Sequence, residues 1–146
     1  MEKGESIFQE FYHLWCDRSG GSRTTVEYLT GFDLMQYSNP VPEYHCRDVP
    51  KVSRSEFAIL PPGWESDFHS TPNPQWVITL SGRWRTTTRD GVVATYMPGD
   101  VHFGGDILVS GTDVDQQGHC TVNPSKTDPV KLLILIVDSL LAIPEE

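Results

Sequence analysis

From residue 56 onward the chain is cut into short runs rich in β-branched and aromatic residues: EFAIL (56–60), QWVITL (75–80), RWRTTT (83–88), VVATY (92–96), DVHF (100–103), DILVS (106–110), HCTV (119–122) and VKLLILIV (130–137). Between them lie the turn formers ProProGly, SerGly, AspGly and ProGlyAsp, which supply the positive φ or fixed φ that tight reversals need. Many short strands at close spacing can bury a face only by closing on one another, so the pattern predicts an all-β sandwich or barrel. With 146 residues the chain is about one domain long. Residues 51–146 read as the barrel, and residues 1–50 as an N-terminal arm packed on it. Within the arm, RTTVEYL (23–29) reads as a strand. SIFQEFYHLWC (6–16) reads as a short helix, because Ile7, Phe8, Phe11, Leu14 and Trp15 follow helical spacing behind Ser6 as N-cap.

Charge narrows the function classes. Twenty acidic against 11 basic residues give a formal charge of −9, which repels phosphate backbones and anionic bilayers, so neither nucleic acid nor a membrane is an expected partner. The longest apolar run, LLILIV at 132–137, is far too short to span a bilayer, and the first residues lack the apolar block of a signal peptide. A cytoplasmic protein is expected. Cys16, Cys46 and Cys120 are odd in number and without close pairing, which fits reduced thiols.

The turns carry a second layer of pattern. Gly63 is followed after five residues by His69; Thr71 lies two further on, then three residues precede Gln75 and six precede Gly82. Downstream, Gly118 and His119 are followed after three residues by Asn123, and MetProGlyAspVal spans 97–101. This arrangement resembles the two motifs of the cupin superfamily over roughly residues 56–137. The first motif there reads Gly, His, His, Glu, Gly at these intervals. The resemblance implies a single cupin (jelly-roll) barrel in which His69, Gln75 and His119 converge. Thr71 stands where the family has its second histidine and Gln75 where it has its glutamate. The segment 104–117, GGDILVSGTDVDQQ, is longer than the family's usual connection and is expected to form a loop at the barrel mouth.

Residues two apart on a strand face the same side, so His69 can enter the barrel with Thr71, and His119 with Thr121. A divalent ion (iron, manganese, nickel or zinc) on His69, Gln75 and His119 would have no anionic ligand, so either no metal or a weakly bound one is expected, and no organic cofactor. His102 on DVHF is a further candidate, its facing left open because Phe103 is an equal candidate for the pocket. Free imidazoles titrate near neutrality and suit proton transfer. His69, His119 and His102 are therefore the candidate catalytic residues. Gln75, Thr71, Trp84, Arg85, Phe103 and Asn123 are the candidate substrate-binding set, with Arg85 offered to a substrate carboxylate if it turns inward. Each has a plain alternative: a loop histidine for His69, a satisfied half-buried one for His119, core packing for Trp84 and Phe103, a solvated face for Arg83, Arg85 and Arg89. His13 and His45 read as ordinary surface or packing residues.

Three functions follow. The first is an acid/base lyase, isomerase or cyclase acting on a carbonyl-rich, fairly apolar metabolite, as in secondary-metabolite pathways. The second is a metal-dependent cupin dioxygenase or isomerase. The third is a barrel that binds a small ligand without turnover. The resemblance also implies a homodimer.

Overall fold

The computed structural model describes residues 7–38, 40–107 and 117–144, and the architecture is all-β. The strands are β1 (Gln9–Cys16), β2 (Ser22–Leu29), β3 (Phe32–Met35), β4 (Glu43–Cys46), β5 (Val52–Leu60), β6 (Gln75–Ser81), β7 (Trp84–Thr88), β8 (Val93–Tyr96), β9 (Val101–Gly104), β10 (His119–Val122) and β11 (Val130–Val137). A six-stranded sheet runs β2-β1-β9-β6-β11-β5 and a three-stranded sheet runs β10-β7-β8. Bridges from Glu65 to Val122 and from His69 to His119 lay the segment before β6 along the free edge of β10. β3 and β4 form a separate hairpin.

Alternation along the strands divides the core in two. On β6, Val77 packs with Trp84, Ala94, Tyr96, Val130 and Leu132 between the sheets, while its neighbour Trp76 points the other way into a cluster with Phe11, Phe103 and Val137. The central strands of the large sheet are thus covered on both faces, which removes the polar half of the usual strand pattern. This is why residues 6–16 mimic a helix. Phe11 belongs to the outer cluster and Tyr12 packs on the inner one, so the apolar spacing comes from a strand buried on two sides. β1 pairs antiparallel with β2 and parallel with β9, and the expected helix is replaced by these ladders. The arm accordingly contributes two strands to the main sheet.

The first motif's closing glycine has a steric reason. Gly82 sits at φ 83° between β6 and β7, and a Cβ there would lie 2.6 Å from the Pro129 carbonyl oxygen and 2.9 Å from Val130 Cα. Cys16, Cys46 and Cys120 are all free thiols. Among the described residues, no helix is long and apolar enough to cross a membrane.

Candidate functional site

Strand register settles which residues face the space between the sheets. His102 on β9 lies opposite Tyr12 of β1 and Val77 of β6, both inner-face residues, whereas Phe103 lies opposite His13 and Trp76 on the outer face. His102 therefore points inward and Phe103 does not. The inner face lines a partly open cavity of about 110 Å³, with the exposed His69 as well as Thr71, Gln75, Trp84, His102 and His119 among its walls. The remaining walls are mostly apolar, including Leu60, Val77, Leu132 and Ile134.

His69 and His119 are held side by side by the backbone. The His69 N–H donates to the His119 carbonyl and the His119 N–H to the His69 carbonyl, both at 2.9 Å, which sets the two rings 4.6 Å apart between centroids. A Cβ on Gly118 would come within 3.3 Å of the His69 backbone, and its φ of 105° is one a side chain rarely adopts, so a glycine precedes the histidine for reasons of space.

Each imidazole has one nitrogen already engaged. His69 Nδ1 lies 2.9 Å from the Asp67 carbonyl oxygen, an acceptor only, so Nδ1 carries the hydrogen and Nε2 keeps its lone pair. His119 Nδ1 lies 2.7 Å from Asp106 Oδ2. Asp106, fully buried, also accepts from Thr71 Oγ1 at 2.6 Å and Ser22 Oγ at 3.0 Å, and Ser22 Oγ in turn accepts from the Gly118 N–H at 2.7 Å. Burial alone would raise the Asp106 carboxyl, but the hydrogen bonds and attraction from His119, with those from Thr71 and Ser22, outweigh it and hold the group below the usual carboxylate range. An ionised Asp106 accepts from Nδ1 and leaves His119 Nε2 as a lone pair in the cavity.

His102 has a different partner. Its Nδ1 lies 2.9 Å from the hydroxyl of Tyr96, which itself lies 3.0 Å from Thr86 Oγ1, all three groups being buried. Burial, with smaller contributions from His119 and His13, pushes His102 from 6.5 down to about 3, against a weaker upward pull from Asp106. Its neutrality has a consequence for stability. Between pH 6.5 and 3 the unfolded chain binds a proton at His102 that the folded chain does not, so folding stability falls as pH falls through that window, by up to about 1.4 kcal/mol per unit. Asp106 works in the same direction, its stabilisation being lost as pH drops through its depressed folded value. The urea midpoint is expected to decline steadily from pH 6.5 to 4, and His102→Asn to flatten that slope; an unchanging wild-type midpoint would contradict a buried neutral His102.

Three expected site residues lie elsewhere. Arg85 alternates with the inward Trp84 and Thr86 and is exposed, so it offers no guanidinium to the cavity. Phe103 is buried in the outer cluster. Asn123 is fully buried but its Nδ2 donates to the carbonyls of Leu60, Pro61 and Asp128 and its Oδ1 accepts from the Ser125 N–H, so it clamps two turns together. His13 is buried with Nδ1 2.6 Å from Glu27, and His45 stacks on Tyr37. Conversely, Asp106, Ser22, Tyr96 and Thr86 belong to the site without having been expected there. Residues 108–116 of the expected mouth loop and of the expected 106–110 strand lie outside the described residues; Asp106 and Ile107, which are described, are not in a strand.

The donor set does not fit a resident divalent metal. Among the described residues, no three His, Cys, Asp or Glu side chains gather as a group that could hold one. The buried carboxylate that an ion would need is Asp106, and its oxygens are taken by His119, Thr71 and Ser22.

No family model matches the chain, and no curated protein matches it. Solved structures similar to it include a cupin 2 conserved barrel domain protein from Salinispora arenicola, 21% identical with a TM-score of 0.44, covering 65% of this chain and 71% of that one. A sugar phosphate isomerase of the cupin superfamily from Silicibacter pomeroyi is 18% identical with a TM-score of 0.41, covering 58% of this chain and 50% of that one. The Schizosaccharomyces pombe Cnp3 cupin domain is 13% identical with a TM-score of 0.42, covering 89% of this chain and 88% of that one.

Proposed function

We propose that the cavity is the active site of an acid/base enzyme of the isomerase, lyase or cyclase type, acting on a small, fairly apolar carbonyl compound. The observation that carries this is the buried Asp106 with His119 Nδ1 at 2.7 Å, an arrangement that leaves the other imidazole nitrogen as a base in a partly open, largely apolar space. A carboxylate behind an imidazole fixes its tautomer and stabilises the imidazolium formed when the base takes a proton. His119 Nε2 removes a proton from the carbon beside the carbonyl. His69, with its ring 4.6 Å away, is placed to share that proton or return it elsewhere on the substrate. Return to a different carbon isomerises the compound, and delivery of the proton to a departing β-hydroxyl dehydrates it. The apolar walls favour an uncharged substrate body, and Gln75 supplies an amide for one polar substituent.

The reading is tested with chelator-treated protein in deuterium oxide, offered a panel of small 1,3-dicarbonyls and α-hydroxyketones and followed by proton NMR. Exchange of the α-hydrogen at least about a hundredfold faster than in buffer is expected. Compounds that bind but never exchange would point instead to a barrel that holds a ligand without turning it over.

A further inference from the structure

Two imidazoles in the cavity have their outer nitrogens fixed by different kinds of partner, and the difference sets their chemistry. Asp106 can only accept, which gives His119 its hydrogen on Nδ1 and a lone pair on Nε2. The partner of His102 is a hydroxyl, which can do either, so the direction has to come from the acid and base strengths along the chain Thr86, Tyr96, His102 and from where the spare hydrogen is left. Thr86 is 1% exposed, and the Tyr96 oxygen is the one hydrogen-bond partner of its hydroxyl among the described residues. Were His102 to donate to Tyr96 and Tyr96 to Thr86, the Thr86 hydrogen would have no protein acceptor. In the opposite direction both hydroxyl hydrogens are used, Thr86 donating to the Tyr96 oxygen and the Tyr96 hydroxyl to His102 Nδ1, and the hydrogen left for a ligand is the one on His102 Nε2. That direction also matches the stronger acid to the stronger base, a phenol to an imidazole nitrogen.

We propose that His102 and His119 hold opposite tautomers, so that His102 presents an Nε2–H to the substrate's carbonyl oxygen while the Nε2 lone pair of His119 removes the adjacent carbon-bound proton. This rests on the proton-transfer reading and narrows its substrate to a carbonyl compound that passes through an enolate. The carbon–hydrogen bond breaks and its electron pair becomes the new carbon–carbon π bond. The carbonyl π pair moves onto oxygen, the proton sits on His119, and the oxyanion is held by the His102 N–H without taking its hydrogen. Return of the proton from His119 to carbon, or its transfer from His119 to a β-hydroxyl that departs as water, restores the base and completes the cycle with no oxidant or reductant.

The geometry agrees with the role. His102 Nε2 has no hydrogen-bond partner among the described residues, and it lies on the cavity side, 3.3 Å from where a Cβ on Gly104 would stand. Glycine at 104 keeps that nitrogen clear. A neutral imidazole suits an oxyanion in a largely apolar site, since it polarises the carbonyl without holding the substrate as an ion pair. The low value of His102, about 3, keeps it neutral throughout the working range. Trp84 stacked on Tyr96 at 4.0 Å, and Tyr12 edge-on to it at 5.0 Å, fix the phenol that orients the ring. Tyr96 and Thr86 are positioning residues and need not touch the substrate.

The test is long-range nitrogen–proton NMR on protein with 15N-labelled histidine at pH 7, where the protonated and bare nitrogens of a neutral imidazole resonate far apart. His102 is expected to show a protonated Nε2 and a bare Nδ1, and His119 the reverse. A protonated Nδ1 on His102 would overturn the assignment, and no variant has to fold for this result to count. Tyr96→Phe is expected to shift His102 towards the other tautomer and to lower kcat for α-deuteration of acetylacetone about tenfold with little change in KM. An unchanged tautomer in a folded Tyr96→Phe protein would also refute the relay. If instead the tautomers are as stated and His119→Ala exchanges at the wild-type rate, the assignment stands and it is the proton-transfer reading that fails.

Discussion

Replacing His119 by alanine is expected to lower turnover by about 10²–10⁴ while leaving the fold intact, because it removes the base and nothing in the cavity stands in the same place with the same backing. Asp106→Asn is expected to approach the same loss by a different route. An amide at that position can no longer accept from His119, Thr71 and Ser22 at once, so the imidazole loses the partner that fixes its hydrogen on Nδ1. The two effects should not add, since both act through one nitrogen, and the double variant should be no slower than the worse single. Rates of solvent exchange at the α-carbon, measured beside thermal melts, separate loss of chemistry from loss of structure. Wild-type rates in a folded His119→Ala protein would end the acid/base reading.

The largest effect on stability is expected at Gly82. Alanine there meets two obstacles at once: the backbone at φ 83° is disfavoured for any side chain, and the new Cβ stands 2.6 Å from a carbonyl oxygen and 2.9 Å from an α-carbon, neither of which can rotate away. The conformational part costs about 1–2 kcal/mol. Separating two backbone segments at the start of β11 adds a comparable amount or more, and a total of about 3–5 kcal/mol would exhaust much of the 5–15 kcal/mol typical of a domain. Gly63 is the control. It has a similar φ of 75° and nothing within 4 Å of its missing Cβ, so Gly63→Ala should cost only the conformational part. Urea midpoints of the two variants that shift equally would show that crowding at Gly82 contributes nothing.

The contrast between these glycines shows what can be read in a chain before it is folded. Both were marked by the same motif intervals, and both do occupy left-handed turns, yet only one is hemmed in, because its neighbours Pro129 and Val130 arrive from the far end of the sequence. Strands β5 to β11 were largely legible for the opposite reason: β-branched runs and their turns are local signals. β1 was misread as a helix because burial on two faces erases the alternation that distinguishes a strand. At the site, the motif intervals brought His69, Thr71, Gln75 and His119 to one cavity. Alternation alone could have turned Arg85 outward once Trp84 was placed inside, and the same logic on β9 needed only the partner strands to decide between His102 and Phe103. Asp106 left no such trace. It meets Ser22, Thr71 and His119 across 84, 35 and 13 residues, and a lone acid after two glycines looks like any loop charge until those partners are assembled.

The parallel pairing of β1 with β9 has a bearing on when the molecule becomes competent. Tyr12 must find His102 and Leu14 must find Gly104 across most of the chain, a contact of the kind that forms late because its loop must be closed first. The Leu14 carbonyl then accepts from the Gly105 N–H at 2.8 Å, and Ser22, the first residue of β2, donates its hydroxyl to Asp106. The carboxylate behind His119 is thus seated by the first hairpin, although it comes late in the sequence. On the proton-transfer reading, a chain newly off the ribosome carries all its imidazoles but lacks the seam that aligns them, and it is expected to stay silent towards substrate until the beginning of the polypeptide has been stitched to its later half.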